Sequence, residues 1–250
     1  MPLLQLESWP EVERYLRHST GIVVPIGSTE QHGPNGVIGT DALCSQAVCA
    51  HAAQRAHMMV APVLPYGPAQ FNMDFPGTIS IRSSTLMAVV EDIVASLLRH
   101  GFRQIYFLNG HGANVAPIRA AFHDLHATFE HLAPRLRLKS WWELEPVGTM
   151  RATMFGDREG LHATPSEVAM VQSAHPEAIR PQFDFDVAIL DAAAIRDMGG
   201  DNHSNASSHR RTYPDGRVGS DPNMANADLG AQLLDAAATG LATDYAKWLA

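Results

Sequence analysis

The chain has 250 residues, 46% of them apolar, with a formal net charge of −8 and a pI near 5.9. That length suits one α/β domain with a sizeable core better than two small ones. The acidic balance argues against a nucleic-acid partner, which needs a basic face.

In chain order, the first strand is expected at "GIVVPIG" (21–27). It is apolar nearly throughout, as a strand covered on both faces should be. Glu30, His32 and Asp41 follow among glycines, and "ALCSQAVCAHAAQ" then reads as a helix. Asp41 by itself is compatible with the N-cap of that helix. Cys44 and Cys49, the only cysteines, lie five residues apart on it and point to different faces, so no disulfide between them is expected. A second strand is expected at "MMVAPVLPYG" (58–67). "SSTLMAVVEDIVASLLRHG" places Leu86, Val90, Ile93 and Leu97 at helical spacing and stops at Gly101. The third strand, "QIYFLNG" (104–110), leads through "NGHGAN" (109–114) into another helix. Its apolar stripe is Val115, Ile118, Phe122, Leu125, Phe129 and Leu132, and His123, His126 and His131 beside it read as a solvated face. "LRLKSWW" (136–142) is the fourth strand. In "LHATPSEVAM" (161–170), Pro165 and Ser166 suit a helix start, which puts Glu167 in the first turn, where a carboxylate is favourable. Residues 178–222 are expected to form long surface loops with an occasional short element, with His203 and His209 in a polar loop without an assignable partner. The last helix is expected from "SDPNM", with Asp221 as N-cap and Pro222 at the first position, running through Leu229, Leu233 and Leu241 towards Trp248.

Strand–helix–strand order implies a mostly parallel sheet with helices on both faces, and a ligand crevice beyond the carboxyl ends of the strands. Glu30, His32, Asp41 and His111 all follow strand ends, so they belong at one edge. Asp/Glu/His sets of this kind suit Zn²⁺, Mn²⁺ or Fe²⁺. A carboxylate can bridge two ions about 3.5–4 Å apart, and such a pair activates water for hydrolysis. Any one of these side chains could equally be structural: a strand-end histidine held by hydrogen bonds, or Glu167 as a capping acid.

The blocks "STEQHGPNGVIGTD", "FPGTISI", "NGHGAN", "HATPSE" and "DGRVGSDP" resemble, in order and across roughly residues 20–240, the signatures of the creatininase (creatinine amidohydrolase) family. The resemblance implies a three-layer α/β/α fold, a two-metal site at the strand ends, hydrolysis of C–N bonds and a hexameric assembly. Carried over by position, Glu30, Asp41 and His111 would hold one ion, and His32 and Asp41 the other, with Asp41 bridging. The family's glutamate two places after the "NGH" histidine is Ala113 here, and Glu167 is the candidate for the vacant place. His162 would polarise the substrate carbonyl or deliver a proton to the leaving nitrogen. Asn35 stands where the family often has a second histidine, and "HATP" replaces "HAGE". Both changes point to a pocket different from that of creatininase, so creatinine itself is not the expected substrate. Asn35, Phe71, Asn72 and Gly112 are the candidate substrate contacts, with the 65–80 and 196–222 segments, including Met73, shaping the pocket.

The expected protein is a single-domain, dinuclear metal-dependent amidohydrolase acting on a small cyclic or linear amide. Two divalent ions, zinc and/or manganese, with iron also compatible, would be its cofactors. A metal phosphoesterase would need basic residues beside the ligands, and Arg158 is the nearest by sequence. A non-catalytic metal-stabilised binding or assembly protein is the third reading. No run of about 18 uninterrupted apolar residues argues for a membrane span. The N-terminus, with early acids and no long apolar core, does not resemble a signal peptide, and the scarce cysteines fit a reducing cytoplasm.

Overall fold

The computed structural model describes residues 3–184, 186–191 and 205–250. After helix α1 (Trp9–Leu16), strand β1 (Gly21–Ile26) leads to α2 (Thr40–Ala53) and then to β2 (Met59–Val60). Helix α3 (Ser83–Arg99) connects to β3 (Gln104–Asn109), and α4 (Val115–Thr128) to β4 (Arg135–Ser140). Helices α5 (Val147–Phe155), α6 (Pro165–Ala174), α7 (Ala206–Thr212) and α8 (Ala227–Leu249) complete the described chain.

The sheet has the order β2-β1-β3-β4 and is parallel throughout. Its register pairs Ile26 with Asn109 and Asn109 with Ser140. Period-2 alternation sorts the strand residues into two cores. Val23, Tyr106 and Leu108 pack with Val48, Cys49 and Ala52 of α2 and with Leu233, Leu234 and Leu241 of α8. Ile22, Val24, Ile26, Ile105 and Phe107 pack with Leu86, Val90 and Val94 of α3 and with Ile118, Phe122 and Leu125 of α4. This is the expected three-layer α/β/α arrangement. Each large side chain so buried contributes on the order of 1.5–3 kcal/mol of transfer free energy. From β1 the chain leaves by α2 on one face, and from β3 by α4 on the other. The gap between the carboxyl ends of β1 and β3 is therefore the switch point where such sheets hold ligands.

The structure corrects four expectations. The second strand shrinks to Met59–Val60, with Leu64 adding an isolated bridge to Ile26; Pro62 and Pro65 cannot donate to a ladder. The last helix is capped by Asn226, whose side chain accepts from Leu229 N–H, while Asp221 starts a separate turn, Pro222–Met224. Its carboxylate is instead paired with Arg158 at 2.8 Å. Residues 216–222 are buried rather than on a surface loop, because Val218 pairs with His162 in an antiparallel bridge. His209 lies buried on α7, not in a loop, with its ring 5.3 Å from that of Phe71; His203 lies outside the described residues. His123, His126 and His131 are exposed, as expected of a solvated face. Cys44 and Cys49 are both free thiols. Among the described residues no helix is long and apolar enough to cross a membrane.

Candidate metal centre

Two glycines bring the strand ends and α2 together. A Cβ on Gly27 would lie 2.3 Å from Ala42 N, and one on Gly110 would lie 2.1 Å from Asp41 O. Only a residue without Cβ lets the first turn of α2 press on both strand exits. That contact drives Asp41 between the β1 and β3 loops. The "NGHGAN" segment is then clamped in place. Asn109 Nδ2 donates to His111 O at 2.7 Å, and Asn114 Nδ2 donates to Gly27 O at 3.0 Å.

Three imidazoles and three carboxylates converge there. His32 Nε2 lies 2.9 Å from Asp41 Oδ1 and 3.9 Å from Glu167 Oε1. His111 Nδ1 lies 2.9 Å from Asp41 Oδ2 and 3.3 Å from Glu30 Oε1. His162 Nδ1 lies 3.6 Å from Glu30 Oε1. Each ring turns its other nitrogen to a backbone carbonyl, which can only accept. His32 Nδ1–H donates to Glu30 O at 3.0 Å, His111 Nε2–H to Pro68 O at 2.8 Å, and His162 Nε2–H to Gln31 O at 2.7 Å. The nitrogens facing the carboxylates are therefore lone-pair atoms in the neutral rings, the orientation that outer hydrogen bonds impose on metal-binding histidines.

Both carboxylate oxygens of Glu30 and Asp41 Oδ2 are buried without a hydrogen-bond partner. Unpaired buried carboxylate oxygens are costly, and a cation relieves them. Three overlapping sets offer ligand atoms within 4.8 Å of one another: Glu30, Asp41 and His111; His32, Asp41 and Glu167; and Glu30, His32 and His162. This donor set fits Zn²⁺ or Mn²⁺.

Left to itself, the cluster balances its charge with protons. Burial opposes a charge on His32, but Asp41, Glu167 and Glu30 beside it outweigh burial and raise its pKa to about 10. Burial likewise opposes a charge on His111, and Glu30 and Asp41 overcome it, raising its pKa well above the usual imidazole range. Asp41 is held well below the usual carboxylate range: burial pushes it up, but His32 and His111 more than offset this. Glu30 is lowered in the same way, burial being outweighed by His111. His162 is the exception, since burial and the neighbouring His32 charge lower it to about 4.

Glu167 has two tasks. Its Oε1 accepts Thr164 N–H at 2.5 Å, while Thr164 Oγ1 accepts Glu167 N–H at 3.3 Å, a reciprocal capping box for α6. The same carboxylate faces His32. Burial, only partly opposed by His32, raises its pKa to about 7. The capping and ligand readings of Glu167 are thus compatible.

The remaining candidates sit around the cluster. Phe71 and Asn72 are buried on the turn Gln70–Asn72, with the Phe71 ring stacked 6.5 Å from that of His111. Met73 next to them is exposed. Asn35 is buried and donates from Nδ2 to Asn223 Oδ1 at 3.0 Å; it borders a cavity of 260 Å³ lined also by Gln172, Arg180 and Asn226. Gly112 and Ala113 lie on the turn Gly112–Asn114. Gly110 is the glycine whose neighbours leave no room for a side chain, whereas a Cβ on Gly112 would meet nothing. The sequence reading passed over Gln31, Asn109 and Asn114, which hold the ligand loops. All three lie inside the quoted blocks, but spacing gives no sign of what a neutral amide will bond.

Fold and site together define a parallel α/β protein with a carboxylate–imidazole metal-ligand cluster at its topological switch point. The chain belongs to the creatininase family: the model described as creatinine amidohydrolase matches residues 5–244. A creatinine amidohydrolase from Pseudomonas putida is 36% identical over 113 residues, 43% of this chain and 44% of that protein. A mycofactocin precursor peptide peptidase from Mycobacterium ulcerans is 36% identical over 115 residues, 42% of this chain and 46% of that protein. A 3-dehydro-scyllo-inosose hydrolase from Thermotoga maritima is 29% identical over 128 residues, covering 50% and 40%. The matched stretches thus span less than half the length of these curated relatives. Among solved structures, a mutant creatininase complexed with creatine superposes with a TM-score of 0.83 at 22% identity, covering 99% of this chain and 98% of that one. Two more at TM-score 0.79 and 22% identity, with the same coverage, are creatininases of a Zn-Zn type and an Mn form. At this identity the likeness concerns the fold.

Proposed function

We propose that this protein is a dinuclear metal-dependent amidohydrolase that cleaves a C–N bond of a cyclic or linear amide other than creatinine. The observation that carries the reading is the shared orientation of His32, His111 and His162: each gives its outer N–H to a backbone carbonyl and turns its inner nitrogen towards buried carboxylates. Glu30, His32, Asp41, His111 and Glu167 would hold the ions. Asp41 suits a bridge, because its two oxygens face different imidazoles. Bound divalent ions there would activate water and polarise the substrate carbonyl.

His162 is the group free to handle protons. It is partly exposed, and its lowered pKa keeps the ring neutral at pH 7 and able to accept a proton at Nδ1. Delivered to the departing nitrogen, that proton would let the amine leave. Among the described residues, the ion pairs of Glu30, Asp41 and Glu167 are all with histidines and none is with Lys or Arg. That favours a neutral amide over a phosphate ester as substrate. The Ala113 and Asn35 departures support a substrate other than creatinine. The names of the relatives, which cover a peptide peptidase and an inosose hydrolase, show how far substrates diverge within this similarity.

The test is metal analysis joined to a screen of zinc- or manganese-loaded protein against cyclic and linear amides and short peptides, read by amine release. Metal-dependent release from a subset of amides is expected. Full activity after removal of all metal would sink the proposal.

A further inference from the structure

The 260 Å³ cavity beside Asn35 is walled by three segments. Asn35 comes from the loop after β1, Gln172 and Arg180 from the end of α6 and the chain beyond it, and Asn223, Asn226 and Ala227 from around the start of α8. Among the described residues that line it, none belongs to the metal cluster, and Arg180 is the single charged side chain. Its amide groups are unevenly matched. Asn223 is fixed by the main chain of Phe183: its Oδ1 accepts Phe183 N–H at 3.2 Å and its Nδ2 donates to Phe183 O at 2.6 Å. A backbone N–H only donates, so this amide cannot be turned over. Asn35 must then offer Nδ2 to Asn223 Oδ1, at 3.0 Å, and its own Oδ1 is left buried without a hydrogen-bond partner. Asn35 is 5% exposed and Gln172 8%. Among the described residues Gln172 makes no side-chain hydrogen bond. Buried amide groups in this state are costly unless something pairs with them.

Charge narrows what that partner is. Arg180 is exposed. Its Nη1 donates to Glu177 O at 2.8 Å and to Ile179 O at 3.2 Å, and among the described residues no carboxylate is paired with it. A guanidinium has five N–H donors, so Nε and Nη2 remain to be used. The start of α8 supplies more. Asn226 Oδ1 takes the Leu229 N–H, while the N–H groups of Ala227 and Asp228, the first two of the helix, have no place in its ladder. Such an end favours an anion. Asp228, the acid in that first turn, is exposed and does not line the cavity. One guanidinium fork and one helix start match a single planar carboxylate. Asn35 Oδ1 asks in addition for a donor on the same ligand. The volume lies below the roughly 300–1,000 Å³ of pockets for drug-sized ligands, which keeps the occupant small.

We propose that this cavity is a second binding site, for a small carboxylate that also carries an N–H donor and is about the size of an amino acid. The carboxylate meets Arg180 and the start of α8, and the N–H pairs with Asn35 Oδ1. Gln172, with both a donor and an acceptor to give, pairs with either end. The site stands independently of the amidohydrolase reading, because no metal ligand lines it.

The experiment is titration calorimetry on full-length, zinc-loaded protein with N-acetylglycine as the probe, and with uncharged N-acetylglycinamide and inorganic phosphate beside it. N-acetylglycine is expected to bind at one site per chain, and the other two about tenfold more weakly or less. Arg180→Gln should weaken N-acetylglycine about 10- to 100-fold, the usual worth of a charge-assisted hydrogen bond, with zinc content unchanged. Gln172→Leu should weaken it several-fold without lowering the melting temperature, because the amide removed leaves no partner behind. No binding of N-acetylglycine at millimolar concentration overturns the proposal. So does phosphate or N-acetylglycinamide binding equally well, or an affinity that Arg180→Gln leaves unchanged. Binding that survives Arg180→Gln but is lost in Asp41→Ala would place the probe on the metals and likewise overturn it. Should Gln172→Leu fail to fold, Arg180→Gln, at an exposed position, still decides.

Discussion

The backbone carbonyl of Asp41 occupies the place where a side chain on Gly110 would begin, 2.1 Å from an ideal Cβ. That contact joins the first turn of α2 to the exit of β3 and sets Asp41 against His111. Gly110→Ala should force the two apart, costing about 1–3 kcal/mol, as overpacking does, and weakening metal binding with it. Gly112→Ala, where a Cβ meets nothing, should leave stability unchanged. Thermal melts and metal titrations of the two variants check the contrast, and equal effects would refute it.

Asp41 presents one oxygen to His32 and the other to His111. Asp41→Ala should therefore remove metal from both sides at once rather than from one. Elemental analysis after dialysis against chelator and reloading is expected to give about two ions per chain for wild type, as in two-metal hydrolases, and essentially none for the variant. One tightly retained ion in the variant would show that the bridging role is wrong.

Glu167 both caps α6 and faces His32. Glu167→Gln keeps an oxygen for Thr164 N–H but removes the charge. Its melting temperature in chelator should match wild type closely, while zinc affinity falls. Glu167→Ala loses the reciprocal cap as well and should cost about 1 kcal/mol more, the usual worth of a cap. Denaturant unfolding in chelator separates the two.

In chelator, the raised pKa values of His32 and His111 mean that the folded protein binds more protons than the unfolded one above pH 7. The stability they contribute is full below the unfolded value of 6.5 for His32 and is lost as pH climbs towards about 10. Glu167, raised to about 7 by burial, gives up its remaining proton just above pH 7 and acts in the same direction, while His162, lowered to about 4, stays neutral in the folded state over this range. The melting temperature should fall from pH 7 to 10. Zinc displaces the same protons, so its affinity should rise over that range and binding should release protons. Calorimetry in buffers of different ionisation enthalpy measures the release directly, and none would count against the ligand assignment.

The apolar runs of β1 and β3 and the helical stripes of α3 and α4 were readable because burial on two faces, or along one stripe, imposes a period on the residues themselves. The "STEQHGPNGVIGTD" and "NGHGAN" blocks could likewise be matched by their residues to a family and its ligand positions. The second strand was overread, because hydropathy does not register the missing N–H of Pro62 and Pro65. The burial of 216–222 was missed, since a polar composition such as "DGRVGSDP" does not reveal a bridge to His162 made by backbone groups. Sequence by itself thus determined which residues could bind metal and which strand ends would present them. Only the tertiary structure decided that Asp41 lies between His32 and His111, that Glu167 reaches His32 from α6, and that the main-chain carbonyl of Gln31 meets the outer nitrogen of His162. These are contacts between segments as many as 135 residues apart, His32 to Glu167, fixed by packing, glycine clearances and backbone hydrogen bonds that have no period along the chain.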